Sequence, residues 1–274
     1  MDTAGLRPKR SLGQNFVVDP NTVRRIARLA NVGPNDSVIE IGAGLGSLTL
    51  ALAETGARIL AVEVDDNLVP LLKENTASHS NITVIHADAM SINWNEVLSS
   101  HATTSETNNA SHTKWHLVAN LPYNVATPLV ADILDTVASI THILVMVQRE
   151  VGERFAATPS TPAYGAVTVK IAFWGTAKIE GYVPASVFLP RPNVESALVS
   201  ITRHEQSLAP DIRPQDLFTL VQAGFAKRRK MLRGALGERV TPEQYERAAI
   251  APTARAEELN VRDWIRLTRE VHQS

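Results

Sequence analysis

Asn120-Leu121-Pro122-Tyr123 is the segment of this 274-residue chain with the clearest capacity for chemistry. An asparagine side-chain oxygen and a loop carbonyl are both acceptors, and together they can hold the two N–H bonds of an exocyclic amine such as adenine N6. That amine is a weak nucleophile because its lone pair is delocalised into the ring. Fixed acceptors favour the positive charge that develops on it in a transition state. Pro122 stiffens the loop, and Tyr123 offers a ring on which a flipped base can stack. The same four residues also fit an Asx turn that contains a proline and carries no chemistry.

A second group stands nearer the N-terminus. Gly42, Gly44 and Gly46 follow the apolar run Val38-Ile39-Glu40-Ile41. Glycines at a strand end allow a tight turn and let backbone approach a ligand closely. The dinucleotide fingerprint G-x-G-x-x-G is not met, because Ser47 stands where its third glycine belongs. Glu63 ends the next apolar run, where a carboxylate can accept both hydroxyls of a ribose, and Asp88 follows the one after, where a carboxylate can face the amino edge of a bound adenine. Any one of these acids also reads as a cap or a surface charge; all three features arising at successive strand ends by chance is much less plausible.

These groups need strands that end at one edge. The sequence predicts strands at Val38–Ile41, Ile59–Val64, Ile82–His86, Leu117–Ala119 and Ile143–Val147. Helices are predicted after Asp19-Pro20, over Ser47–Glu54, and from Thr127-Pro128. Buried strands alternating with helices indicate an α/β fold with a mostly parallel, Rossmann-like sheet. Further strands are predicted at Val167–Phe173, Ile179–Val183 and Ala197–Ile201. Beyond these, Leu217–Leu236, Glu243–Ile250 and Val261–Val271 read as helices. The expected division is a catalytic domain over 1–203 and a small helical domain over 204–274. Ser99–Thr113 has almost no apolar content and reads as a solvated excursion.

The formal net charge is −1 and there are no cysteines. The second fact excludes disulfides, thiolate zinc sites and cysteine nucleophiles. No apolar run is long enough for a membrane span, and the N-terminus does not read as a secretory signal, so the expectation is a cytoplasmic protein without a membrane role. Charge is distributed unevenly. Arg7, Lys9, Arg10, Arg24, Arg25 and Arg28 crowd the N-terminal part, and Lys227, Arg228, Arg229, Lys230 and Arg233 form a second cluster. The second cluster is assigned to RNA phosphates, as two adjacent basic rows on a helix; a solvated helix face is the plainer reading.

Asn120-Leu121-Pro122-Tyr123 resembles the N-L-P-Y motif of the ribosomal RNA adenine N6,N6-dimethyltransferases that act on the small subunit. Lys9-Arg10-Ser11-Leu12-Gly13-Gln14-Asn15-Phe16 is similar to that family's N-terminal motif, in which the chain folds over the methionine end of the cofactor. Glu40-Ile41-Gly42-Ala43-Gly44-Leu45-Gly46-Ser47-Leu48-Thr49 is similar to its glycine motif. Val187-Phe188-Leu189-Pro190-Arg191-Pro192-Asn193-Val194-Glu195-Ser196 resembles its late motif, whose phenylalanine packs against the target adenine. The resemblance spans essentially the whole chain.

It implies S-adenosyl-L-methionine as cofactor, held by Asn15, Val17, Gly42, Glu63, Asp88 and Asn120. The family usually has leucine where this chain has Val17. The reactive residues it implies are Asn120, Leu121, Pro122, Tyr123 and Phe188. The implied reaction is dimethylation of two adjacent adenosines near the 3′ end of 16S rRNA, late in small-subunit assembly, by a monomer that uses no metal. The sister group, which methylates large-subunit rRNA, usually has isoleucine at the position of Leu121 and a more basic composition. Three other classes compete. A DNA adenine methylase would have an acid or asparagine followed by two prolines, which Leu121 contradicts. An NAD-dependent dehydrogenase would need a hydride-transfer grouping that the chain does not present. A non-catalytic assembly factor would not need Asn120, Asp88 and Glu63 together.

Overall fold

A computed structural model describes residues 14–102 and 114–272. Residues Arg7, Lys9 and Arg10, the first five residues of the motif starting at Lys9, and most of the polar Ser99–Thr113 stretch lie outside them. Ser99 and Ser100 themselves close helix α4 (Trp94–Ser100).

Helix α1 (Pro20–Ala30) begins where the sequence predicts. The Asp19 carboxylate accepts the amides of Asn21 and Thr22, Pro20 occupies the first turn, and Val23, Ile26, Ala27 and Ala30 are buried. Strand β2 (Ser37–Ile41) is buried at all five positions. That is what covering both faces of a parallel sheet demands. β3 (Arg58–Glu63), β4 (Ile82–His86), β5 (Trp115–Asn120) and β6 (Ile140–Gln148) follow, with α2 (Ser47–Ala53), α3 (Val69–Thr76), α4 and α5 (Ala126–Thr136) between them.

The seven-stranded sheet runs β4-β3-β2-β5-β6-β9-β7, with β7 at Gly175–Val183 and β9 at Ser196–Arg203. β2 pairs in parallel with β3 on one side and β5 on the other. The strand order therefore reverses at β2, and a crevice opens there beyond the carboxyl ends of β2 and β5. β9 joins β6 antiparallel, with Gln148 opposite Ser196. A separate two-stranded ribbon pairs β1 (Phe16–Val17) with β8 (Phe188–Leu189). It ties the N-terminal segment to the late motif.

The chain forms two compact units. One takes in the residues up to Gly152 together with Lys178–Thr202, the other Glu153–Ala177 together with Arg203–Ser274. A linear boundary at 203/204 places Glu153–Ala177 in the first domain, whereas here it packs with the C-terminal helices. The reason is α7 (Ala166–Trp174). Val167–Phe173 reads as a strand from its β-branched apolar run, but it is a helix. Val169 and Phe173 belong to a core that includes Phe218, Val221 and Trp264. Periodicity does not separate a buried strand from a buried helix over so few residues.

Leu217–Leu236 is likewise two helices, α8 (Pro214–Ala226) and α9 (Leu232–Leu236). Residues 227–230 form a turn in which the Lys230 amide donates to the Lys227 carbonyl at 2.7 Å. The basic residues therefore do not form two rows on a helix. α10 (Pro242–Arg247) and α11 (Val261–His272) complete this unit, with α6 (Arg149–Phe155) spanning the junction of the two. Among the described residues no helix is long and apolar enough to cross a membrane.

On β5 and β6, His116 and His142 stack with ring centroids 4.8 Å apart and planes 9° from parallel. Burial holds the His116 imidazole below its ordinary pKa, the neighbouring His142 lowers it further, and Asp36 offsets part of this. The folded protein thus resists a proton that the unfolded chain accepts below about pH 6.5, so this residue's contribution to stability falls as pH drops through that value. Replacing His116→Gln removes the titration. The variant's thermal midpoint is expected to fall less than the wild type's between pH 7.5 and pH 5.5, as followed by circular dichroism.

Candidate active site

The crevice is open to solvent and is lined by Asn15, Phe16, Gly42, Gly44, Glu63 and the loop Asn120–Tyr123, among others. They arrive from four segments of the chain: the N-terminal segment at β1, the turn after β2, the end of β3 and the loop after β5. Gly42 and Gly44 follow β2 with φ of 75° and 60°. At Gly44 a Cβ would also stand 3.0 Å from the Phe16 ring. Left-handed backbone and a close aromatic together require glycine.

Glu63 is buried at the end of β3. Its carboxylate accepts the amides of Gly44 at 2.8 Å, Val64 at 2.9 Å and Asp65 at 2.9 Å. Two carboxylate oxygens offer about four acceptor positions, so roughly one is left for a ligand hydroxyl. Asp65, buried beside it, accepts from the Gln14 side chain at 2.9 Å. The Ala87 amide donates to the Glu63 carbonyl at 3.0 Å, which sets the following Asp88 beside the end of β3. Asp88 is exposed, and its carboxylate accepts the Met90 amide at 2.9 Å.

At the end of β5 the Asn120 side chain has a defined orientation. Its Nδ2 donates to the Asn15 carbonyl at 2.9 Å, which leaves Oδ1 as the acceptor. The Leu121 amide donates to Met146 on β6 at 3.1 Å, and its side chain is buried. The Pro122 carbonyl accepts from Val125 and Ala126. Tyr123 reaches across to β9, with its hydroxyl 3.0 Å from Ser196 Oγ. Burial raises the phenol pKa, and the Ser196 hydroxyl offsets part of the rise.

The structure thus brings together Asn15, Gly42, Glu63 and Asn120–Tyr123. It places others differently. Val17 lines a smaller cavity behind the glycine turn. Phe188, assigned to the target base, is only 3% exposed and packs in the core with Val23, Ile26 and Leu198. The pairing of Val17 with Phe188 in the β1–β8 ribbon puts that ring under the N-terminal segment. Sequence reasoning did not single out Phe16, the Gln14–Asp65 contact or Ser196. The signal was present, since Gln14 and Phe16 stand inside the N-terminal motif and Ser196 closes the late one.

A family model described as ribosomal RNA adenine dimethylase matches residues 5–273. The chain belongs to this family. The enzyme is accordingly an S-adenosylmethionine-dependent rRNA adenine dimethyltransferase. It is 41% identical over 283 residues to ribosomal RNA small subunit methyltransferase A of Bifidobacterium longum subsp. infantis, covering 98% of this chain and 89% of that one. It is 42% identical over 273 residues to the protein of the same name from Streptomyces coelicolor, covering 96% and 91%. Among solved structures, a dimethyladenosine transferase from Plasmodium falciparum superposes with a TM-score of 0.73 at 19% identity, covering 92% of this chain and 95% of that one. The 23S rRNA methyltransferase ErmE superposes at 0.70 and 21% identity, covering 93% and 99%. These two establish the Rossmann-like methyltransferase fold with its C-terminal helical region.

In the enzyme's second basic cluster, Lys227, Arg229, Lys230 and Arg233 are exposed. Arg228 is committed elsewhere. Its Nε lies 2.7 Å from Glu257 and its Nη2 donates to the Pro162 carbonyl at 2.9 Å. Among the described residues, no group of three or more His, Asp or Glu side chains is placed to hold a metal.

Glu40, on β2, lines the smaller cavity and is 2% exposed; its Oε2 has no partner among the described residues. Burial pushes its carboxyl up to about 8, the Thr49 hydroxyl lowers it, and the Glu63 charge raises it again. The folded state therefore holds a proton that the unfolded chain loses above its ordinary value of 4.5. Stability from this group is full below that value and is lost as pH rises through about 8. A Glu40→Gln variant does not titrate. Its unfolding midpoint is expected to gain on the wild type's as pH is raised from 5 to 8.5, and parallel denaturant melts at the two pH values check this.

Proposed function

We propose that this enzyme transfers methyl groups from S-adenosyl-L-methionine to N6 of two adjacent adenosines near the 3′ end of 16S rRNA, late in small-subunit assembly, in the cytoplasm and as a monomer. The two curated relatives are named for the small subunit, and Leu121 fits that branch of the family. The observation that carries the chemistry is the orientation of Asn120, whose amide nitrogen is occupied by Asn15 and whose oxygen is thereby presented as an acceptor.

The cofactor fits the residues present. The left-handed glycine turn makes room for a ligand against backbone. Glu63 retains acceptor capacity for a ribose hydroxyl, and Asp88 stands beside the same strand end for an adenine amino group. Asn15 and Val17 belong to the segment that covers the other end, and Gly42 and Asn120 complete the contacts. When bound, S-adenosylmethionine supplies an electrophilic methyl group on a sulfonium.

The protein's part in the step is to hold and polarise the target amine. Asn120 Oδ1 accepts one N6–H. The Leu121 carbonyl is suited to the other, because the Pro122 carbonyl is already used within the turn. Both acceptors strengthen as positive charge develops on N6, which is differential stabilisation of the transition state. Tyr123 supplies the stacking surface. The proton leaves to water after the carbon–nitrogen bond has formed, so no side chain is needed as a base.

The test is transfer of labelled methyl groups to immature small subunits from cells lacking this activity. Wild type labels them, and Asn120→Ala slows single-turnover transfer by roughly a hundredfold, equivalent to about 3 kcal/mol for one lost charge-stabilising contact. The circular dichroism spectrum stays unchanged. An active, folded Asn120→Ala enzyme overturns the assigned role.

The exposed turn between α8 and α9 is the rRNA phosphate contact in this reading, through Lys227, Arg229 and Lys230, with Arg233 following. Arg228 is left out because Glu257 already holds it. Neutralising Lys227, Arg229 and Lys230 together is expected to weaken subunit binding and flatten its salt dependence, by a slope of roughly 0.7 to 0.9 per lost contact. Cofactor affinity stays at the wild-type value. Subunit binding across a salt series checks this, and an unchanged slope assigns the turn to a solvated surface.

A further inference from the structure

Tyr123 is held at both ends. Its backbone follows a loop pinned by the Leu121 amide to Met146 on β6 and stiffened by Pro122. Its hydroxyl meets Ser196 Oγ at 3.0 Å on a different strand. Ser196 has no exposed surface and sits opposite Gln148 in the β6–β9 ladder. The residue before it is clamped as well. The Arg149 amide donates to the Glu195 carbonyl at 2.9 Å, and the Arg149 guanidinium pairs with the Glu195 carboxylate at 2.9 Å. A tyrosine ring attached only at Cα can swing about two side-chain torsions. The phenol oxygen lies on the axis of the second torsion, so tethering it to a fixed strand removes the swing about the first and fixes where the long axis of the ring lies.

We propose that Ser196 is a positioning residue for methyl transfer: by holding the Tyr123 hydroxyl from β9, it fixes the ring on which the target adenine stacks, and so aligns N6 with the acceptors at Asn120 and Leu121. This rests on the functional reading above. The physical gain is pre-organisation. A base stacked on a ring whose axis is held in place presents its amine at one position, and small errors in such alignment cost rate steeply. Ser196 is not among the residues that line the crevice, and its hydroxyl meets the loop at Tyr123.

The experiment is a double-mutant cycle on the full-length enzyme. Single-turnover methyl transfer to immature small subunits is measured at saturating S-adenosylmethionine for wild type, Ser196→Ala, Tyr123→Phe and the double variant. Cofactor and subunit dissociation constants are measured beside the rates. Each single variant is expected to slow transfer about five- to tenfold, the size of one lost hydrogen bond expressed in the transition state. The double variant is expected to be no slower than either single, with both dissociation constants within about twofold of wild type. A Ser196→Ala enzyme at the wild-type rate overturns the proposal, as does a Tyr123→Phe enzyme at that rate. So does a further loss when Ser196→Ala is added to Tyr123→Phe, because disruption of β9 would slow transfer whether or not the phenol is present. Wild-type transfer separates this from the functional reading. If wild type labels no subunits, both fall; if it labels them and the cycle fails, only the role of Ser196 falls.

Discussion

Burying a carboxylate is costly unless its charge is met by hydrogen-bond donors. Glu63 meets that cost with backbone amides from two segments, Gly44 of the glycine turn and Val64 and Asp65 beyond β3. One side chain therefore joins the ends of two neighbouring strands. The turn it holds is left-handed, which requires glycine, and the missing side chain at Gly44 admits the Phe16 ring. Phe16 brings the N-terminal segment across the strand ends, and Gln14 fastens it to Asp65. From that segment the Asn15 carbonyl orients Asn120. The acceptor proposed to meet the substrate amine thus depends, through a short series of contacts, on how one buried charge is neutralised.

The far side of the crevice depends on strand direction. β5 and β6 run parallel, so Asn120 and Gln148 reach the same edge. β9 runs antiparallel to β6, so its first residue, Ser196, arrives at that edge too. A further parallel strand would have delivered its last residue there and left the late motif at the opposite end. The antiparallel addition is what puts the late motif beside the N-L-P-Y loop, and the β1–β8 ribbon then returns that motif to the N-terminal segment. Core and site share these residues, and Phe188 is used in the core.

The strands from β2 to β5 are legible because each is an apolar run with a glycine, an acid or an asparagine at or just beyond its end, and β6 from its apolar run alone. Covering both faces leaves little else that such a run can be. The α1 start was legible because Asp19-Pro20 is a cap with its own mechanism. Val167–Phe173 was misread since its β-branched residues favour a strand locally, while packing against Phe218 and Trp264 decides for a helix. The α8–α9 break lacks a proline or glycine between Ala226 and Leu232, so nothing local announces it. The long-range contacts that build the site, Asn120 to Asn15 and Tyr123 to Ser196, join residues far apart in the chain. No local pattern encodes them; the motif resemblance brings Asn15, Asn120 and Tyr123 to one site but does not single out Ser196.

The basic cluster shows why charge must be located before it is counted. Five cations between Lys227 and Arg233 suggest one patch in the sequence. Folding divides them. Arg228, in the middle, turns to Glu257 and to the carbonyl of Pro162, so it closes the turn against its own unit and its field is largely cancelled for an outside anion. The same contact stiffens the turn on which Lys227, Arg229 and Lys230 are displayed, since its central residue is anchored. A mobile basic loop loses conformational freedom when it grips phosphate, whereas an anchored one has lost part of that freedom on folding. A chain with a net charge of −1 can in this way present a local cationic surface without a basic composition. For the proposed phosphate contact, the cation withdrawn from binding is the one that anchors the turn on which the others are displayed.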